Sequence, residues 1–320
     1  MLGGENQKGS LTIVWANSAI AQCIGMPEIV PATAQRTLCR SSQVLIELSS
    51  LPKERLHYNM PVSSNAEILN KGGGRQTRAT EPAQQKPLSY GSPHGLVMLR
   101  IGHRGARAYE PENTLRSFRK ALEIGVDAVE FDVRKTRDNH LIVIHDADVK
   151  RTTNGKGLVA DLTLKEIKDL STEKGEKIPT LEEALDSIGN KAKILIELKE
   201  TGFEGKVLSA VCSKKLEKNV IITSFLEPAL AKVRVLNKQI ETGLIYAKHP
   251  NPIKAALELK ASYLLPLYRF THTANVEKAH ENGLKVIVWT INTKEEAAEY
   301  VKKGVDGIAT DKPDILSAQK

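Results

Sequence analysis

IGHRGARAYEPENT, residues 101–114, is the stretch on which the fold turns. The apolar run VMLRIG, from Val97, reads as a strand and ends in His103-Arg104-Gly105. A Pro-bearing loop follows, then a helix start at Asn113. A strand that hands a His and an Arg to a loop sets up chemistry: imidazole titrates near neutral pH, and guanidinium grips anions with a fork of donors. Three later stretches share this design: AVEFDV, LIVIHD and ILIELK. Each is an apolar strand with ionisable residues at its C-terminal end.

Just downstream, Leu115, Phe118, Ala121 and Leu122 recur at helical spacing, with Asn113 as cap and Gly125 as stop. DAVEFDV is the next strand, and only RKTRDNH separates it from LIVIHD. That is too short for a crossover helix. At about 3.3 Å per residue it still allows an extended return down the height of a sheet. Residues 147–180 follow His145 as an irregular insert and are expected to form a small cap over it. Beyond them strands and helices alternate. VIITSF, ETGLIYA, YLLPLY and KVIVWTIN each precede a helix, and DGIATD closes the series. This alternation implies a parallel sheet with right-handed crossovers. Over residues 98–320 the number of units implies an α/β fold, a TIM-type (β/α)8 barrel. Nine strand candidates compete for eight places, and ETGLIYA or DGIATD is expected to be peripheral.

Composition divides the chain near residue 97. Residues 1–97 hold no Asp and no Phe, and Ser63 to Pro93 is rich in Gly, Gln, Ser, Ala and Pro. This N-terminal extension is expected to be largely disordered. Three origins compete: a non-native start with Met98 opening the domain, a targeting segment, or a small accessory domain. Net charge is +8, of which residues 1–97 contribute +3 (9 basic minus 6 acidic) and the remainder +5 (37 minus 32). Neither part is strongly cationic, so nucleic-acid binding is not expected. No apolar run is long enough for a membrane-spanning helix. The three cysteines, Cys23, Cys39 and Cys212, are an odd number without C-x-x-C spacing. They argue against a disulfide scaffold or zinc site and fit a reducing, cytoplasmic setting. Dinucleotide, P-loop and G-x-S-x-G signatures are absent.

In such a barrel, ligands gather at the C-terminal ends of the strands. That rule collects His103, Arg104, Glu130, Asp132, His145, Glu197, Lys199 and Trp289 in one mouth. Strand side chains alternate, so Glu130 and Asp132 share a face, as do Glu197 and Lys199. Three carboxylates in one apolar barrel stay ionised only with compensating charge. A divalent ion is the simplest source, and all-oxygen ligands select Mg²⁺ or Ca²⁺. Arg104 and Lys199 beside it suit an anionic group such as a phosphate. The two histidines supply a proton acceptor and a proton donor. Asn113 and Thr114 read as helix-start residues, Asp311 as a turn or cap residue, and Asp146 as an orienting neighbour.

HRG, PENT, EFDV, IHD, RTTNGKG, IPTLEEAL, IELK, VWTIN and GVDGIATDKPD occur in that order over residues 98 to about 316. The set resembles the glycerophosphodiester phosphodiesterase family, whose barrel is shared with phosphatidylinositol-specific phospholipases C. The resemblance implies hydrolysis of glycerophosphodiesters, such as glycerophosphocholine, to glycerol 3-phosphate and an alcohol. By position it implies Glu130, Asp132 and Glu197 as metal ligands and His103 and His145 as the acid/base pair. Arg104 and Lys199 become phosphate contacts, and Trp289 lines the substrate pocket. One departure is Asp138-Asn139 where Asp-Gly is usual; Asn also tolerates a left-handed backbone. Two rivals stand beside this reading. One is a lysophospholipase D acting on single-chain lipids, which needs an apolar groove that the cap does not obviously supply. The other is a non-catalytic barrel that binds phosphodiesters.

Overall fold

The computed structural model describes residues 98–316. The sequence readings made for residues 1–97 lie outside them.

Eight parallel strands close on one another. They are β1 (Leu99–Gly102), β2 (Ala128–Lys135), β4 (Lys193–Leu198), β5 (Val220–Ser224), β6 (Glu241–Tyr246), β7 (Tyr263–Pro266), β8 (Lys285–Val288) and β9 (Gly307–Thr310). They neighbour one another in that order, and β1 pairs with both β2 and β9, which closes the ring. Helices α1 (Leu115–Ile124), α3 (Leu181–Ile188), α4 (Glu204–Ser213), α5 (Glu227–Leu236), α6 (Pro252–Glu258), α7 (Thr273–Glu281) and α8 (Lys294–Lys302) separate the strands. A short helix, α2 (Leu164–Asp169), lies in the insert.

The alternation of the strands sorts their side chains. Ile101, Ala128, Leu195, Ile221 and Ile287 fill the barrel interior. Val129, Phe131 and Val133 point the other way, into the layer beneath the helices. Helix α1 presses Phe118 and Ala121 into that layer, both fully buried, and the Phe118 ring lies 5.5 Å from that of Phe131. Phe118→Ala there should cost about 3–5 kcal/mol. The helix begins at Thr114, whose hydroxyl accepts from the Ser117 backbone N–H, and ends at Gly125 in the left-handed region (φ 87°). Thr114 is therefore the cap in place of Asn113, one residue later than the sequence reading set it. Thr is among the residues that serve that position.

Two expectations about the strands need correction. ETGLIYA and DGIATD are both barrel strands, β6 and β9. The peripheral strand is β3 (Leu141–Val143), from LIVIHD, which pairs antiparallel with β2. Arg134 and Lys135, read as linker, extend β2 past the barrel rim. The chain turns at Thr136–His140, where Thr136 N–H donates to His140 O at 2.9 Å and Asn139 takes the left-handed conformation (φ 65°). A two-stranded antiparallel return needs no crossover. His145 thus re-enters the mouth from a hairpin.

The insert has a core of its own: Ile144, Val149, Val159, Ile167 and Ile178 are buried together. Capping boxes at Thr163/Glu166 and Thr180/Glu183 fix the helix starts within it and after it.

Candidate active site

Gly102 ends β1 and makes the site's first turn possible. A Cβ there would lie 2.7 Å from the Gly105 carbonyl oxygen. Arg104 (φ 52°) and Gly105 (φ 83°) both take left-handed backbone. The tight turn aims the Arg104 backbone N–H at Glu130 Oε2, 2.8 Å away. The pairing of β1 with β2 sets Gly102 opposite Val129, which brings His103 level with Glu130. Asp132 is the register partner of Glu197.

Glu130, Asp132 and Glu197 each offer a carboxylate oxygen, and these atoms all lie within 4.8 Å of one another. All three residues are buried, Asp132 completely. Lys199 Nζ stands 2.9 Å from Asp132 Oδ1 and also bonds Glu197 Oε1. Arg104 Nε lies 3.3 Å from Asp132 Oδ2, and Asn113 Nδ2 donates to the same oxygen at 2.8 Å. The cations do not serve the three acids equally. Burial pushes Asp132 up, but Lys199 and Arg104 outweigh it and hold the carboxyl well below its usual range. Burial, then the charges of Asp132 and Glu197, push Glu130 far above the usual range. Burial and Asp132 push Glu197 up to about 7 despite Lys199. Two buried acids are thus short of positive charge. The oxygen-only donor set fits a hard divalent ion, which would supply it.

Both histidines are oriented by carboxylates. His103 Nδ1 lies 2.6 Å from Asp311 Oδ1, and Asn292 Nδ2 donates to Asp311 Oδ2 at 2.9 Å. His145 Nδ1 lies 2.6 Å from Asp146 Oδ1. The bond to His103 outweighs burial and lowers Asp311; the bonds from Arg151 and His145 lower Asp146. Ionised carboxylates only accept, so each Nδ1 carries a proton and Nε2 is the nitrogen left for other partners. His103 Nε2 stands 4.0 Å from Glu130 Oε2. Burial, opposed by Asp132, lowers the His145 imidazole below its ordinary value. The Ile144 backbone N–H donates to Asp132 O at 3.0 Å, and Arg134 Nε donates to His145 O at 2.9 Å, which fixes the hairpin exit.

On the other side of the mouth, Trp289 follows β8. Its indole N–H donates to Leu265 O at 2.8 Å, and its ring meets Phe225 edge-on at 5.6 Å. Phe225 and Leu226, just after β5, are exposed.

The structure therefore gathers His103, Arg104, Glu130, Asp132, His145, Glu197 and Lys199 as the sequence placed them, with Trp289 at the edge. Asp146 orients its neighbour, as expected. Three residues were missed. Asn113 binds Asp132, Asp311 holds His103, and Glu112 binds Arg104 Nη1 at 2.8 Å. One signal was available: in a closed barrel the last strand lies beside the first, so the Asp after GIAT neighbours the His after RIG.

The model of the glycerophosphoryl diester phosphodiesterase family matches residues 103–315. A glycerophosphodiester phosphodiesterase of Caldanaerobacter subterraneus subsp. tengcongensis is 41% identical over 235 residues, covering 69% of this chain and 97% of that protein. One from Bacillus subtilis is 34% identical over 268 residues, covering 73% and 92%. The solved Oleispira antarctica phosphodiesterase, in complex with the product sn-glycerol-3-phosphate, superposes with a TM-score of 0.62 at 29% identity. That superposition covers 67% of this chain and 93% of the other. The chain belongs to the glycerophosphoryl diester phosphodiesterase family and is a phosphodiesterase.

Proposed function

We propose that the chain hydrolyses glycerophosphodiesters to sn-glycerol 3-phosphate and an alcohol, with His103 and His145 as acid/base pair and Mg²⁺ or Ca²⁺ as cofactor. The observation that carries this reading is the pairing of two carboxylate-held imidazoles with a buried three-carboxylate cluster. Glu130, Asp132 and Glu197 would hold the ion; bound there, it supplies positive charge to a phosphate oxygen.

The chain's own groups do the rest. Arg104 and Lys199 lie against the same carboxylates and present their remaining donors to the phosphate. One imidazole, protonated only at Nδ1, accepts a proton at Nε2 from the attacking hydroxyl; the other, charged and protonated on both ring nitrogens, donates its Nε2 proton to the leaving alkoxide. Asp311 and Asp146 accept from the Nδ1–H of the two rings, which fixes the ring orientation and steadies the ring that carries the charge. The nucleophile is water or the neighbouring glycerol hydroxyl; the second route passes through a cyclic phosphate. Trapping that cyclic product with glycerophosphocholine as substrate distinguishes the two.

A second reading has its own observation. Phe225 and Leu226 give the mouth an exposed apolar edge beside Trp289, supplied by the β5 and β8 ends and not by the cap. That edge suits a single acyl chain, as a lysophospholipase D requires. The test is product analysis on glycerophosphocholine and lysophosphatidylcholine side by side. Faster release of glycerol 3-phosphate from the former supports the first reading. Faster choline release from the latter replaces it with the second. Tight binding with no product from either makes the barrel a binder.

A further inference from the structure

Glu112 touches none of the three clustered acids, yet it meets every arm that holds the reacting groups. Its Oε1 accepts from Arg104 Nη1 at 2.8 Å and from Arg151 Nη2 at 2.7 Å. Its Oε2 accepts from Arg151 Nη1 at 2.9 Å and lies 2.9 Å from Arg107 Nε. A carboxylate has about four lone-pair sites; this one takes three hydrogen bonds and one further ion pair, all from guanidinium groups. The Glu112 side chain is 10% exposed.

Each arginine leads onward. Arg151, from the insert, reaches Asp146 with Nε at 2.6 Å and Nη2 at 3.2 Å, and Asp146 holds His145. Arg107 Nη1 stands 3.7 Å from Asp311 Oδ1, and Asp311 holds His103. Arg104 lies against Asp132. One side chain is thus the common point of two routes, one to each imidazole, and of a third to the phosphate-contacting arginine.

We propose that Glu112 is a positioning residue: through Arg107 and Arg151 it sets the two Asp–His pairs relative to each other, and through Arg104 it ties both to the acid cluster. This rests on the acid/base reading of His103 and His145. A carboxylate serving stability alone needs no path to both Asp–His pairs. It also needs no arginine from the insert, and the Arg151 side chain is 44% exposed. The arrangement also explains why the insert sits where it does. Arg151 to Glu112 and Lys174 to Glu110 (2.8 Å) tie it to the loop after β1.

The test uses Glu112→Gln, which keeps the size and removes the charge, with Glu112→Asp, Arg151→Met and the Glu112→Gln/Arg151→Met pair. With glycerophosphocholine, Glu112→Gln should lower kcat about 10- to 100-fold, the range for partners that orient active groups. Its Tm should stay within a few degrees, and Glu112→Asp should recover part of the loss. The double variant should fall no further than the worse single one, because both act on His145 along one route. The ¹⁵N-edited imidazole signals of His103 and His145 should both move in Glu112→Gln. Wild-type kcat in that variant, or losses that multiply in the pair, overturns the inference and leaves the phosphodiesterase reading standing. A wild-type chain that releases no glycerol 3-phosphate overturns that reading instead; the imidazole signals then decide the inference, unmoved signals counting against it. Should Glu112→Gln not fold, Arg151→Met carries the test: lost turnover at unchanged Tm supports the inference, and full turnover refutes it.

Discussion

The two sides of the barrel mouth differ in kind. The ends of β1, β2 and β4 carry His103, Arg104, Glu130, Asp132, Glu197 and Lys199, four of them buried, His103 and Lys199 partly so, and all linked by ion pairs or hydrogen bonds. The ends of β5, β7 and β8 carry Phe225, Phe270 and Trp289, of which the two phenylalanines are exposed. Their polar contacts are few: the Trp289 indole binds backbone, and Lys248 Nζ lies 5.1 Å from the Phe270 ring centre. Charge that is expensive to bury is concentrated where bonds are to be broken. Apolar surface is left exposed on the opposite side. On the proposed function, the reaction falls to one arc and the choice of substrate to the other.

The sharpest way to break this division is at the histidines. His103→Ala and His145→Ala should each lower kcat about 10² to 10⁴-fold on every substrate, measured as glycerol 3-phosphate release with circular dichroism to confirm folding. Near-full turnover in both removes the charged arc's role.

Next comes the acid cluster. Glu197→Gln should cost more than the roughly 100-fold typical of outer partners of a metal ligand, and should remove metal-induced stabilisation with it. The sign of the pH effect follows from the raised Glu197 carboxyl. Below its ordinary value of 4.5 it is protonated both folded and unfolded, so its stabilising contribution is complete. As pH rises through about 7, the folded protein must ionise it beside two other acids, and that contribution is lost. Metal-free protein should therefore lose stability between pH 4.5 and 7. Added Mg²⁺ or Ca²⁺ should raise Tm more at pH 8 than at pH 5; where the ion is at 100 times its Kd, the stabilisation is about 2.7 kcal/mol. Equal gains at both pH values count against ligation by this carboxylate.

The apolar arc should respond more weakly and selectively. Trp289→Ala should raise KM by up to about tenfold with kcat changed less, since an aromatic contact contributes about 0.5–1.5 kcal/mol. Phe225→Ser should change KM by about threefold or less for glycerophosphocholine, and more for lysophosphatidylcholine. An equal effect on both substrates would show that the arc does not select them.

How far the sequence could be read follows the same physics. Barrel strands were legible because apolar runs ending in ionisable residues recur between helical patterns, and Glu130, Asp132 and Glu197 followed from strand alternation. The hairpin strand β3 was misplaced because LIVIH looks like a barrel strand on its own. Its neighbour gave the clue: Arg134 and Lys135 continue β2, leaving a turn too short for any crossover. Asn113, Asp311 and Glu112 escaped because their roles depend on partners 19, 208 and 8 residues away. Each is also an ordinary cap, turn or loop residue by local pattern.

The measurement that bears most directly on the account is glycerol 3-phosphate release from glycerophosphocholine by the full chain, assayed with Mg²⁺, with Ca²⁺ and with excess chelator. Turnover with at least one ion, abolished by chelator and restored by adding the ion back, is the expected result. Release that continues undiminished in chelator, or none with either ion, would contradict it.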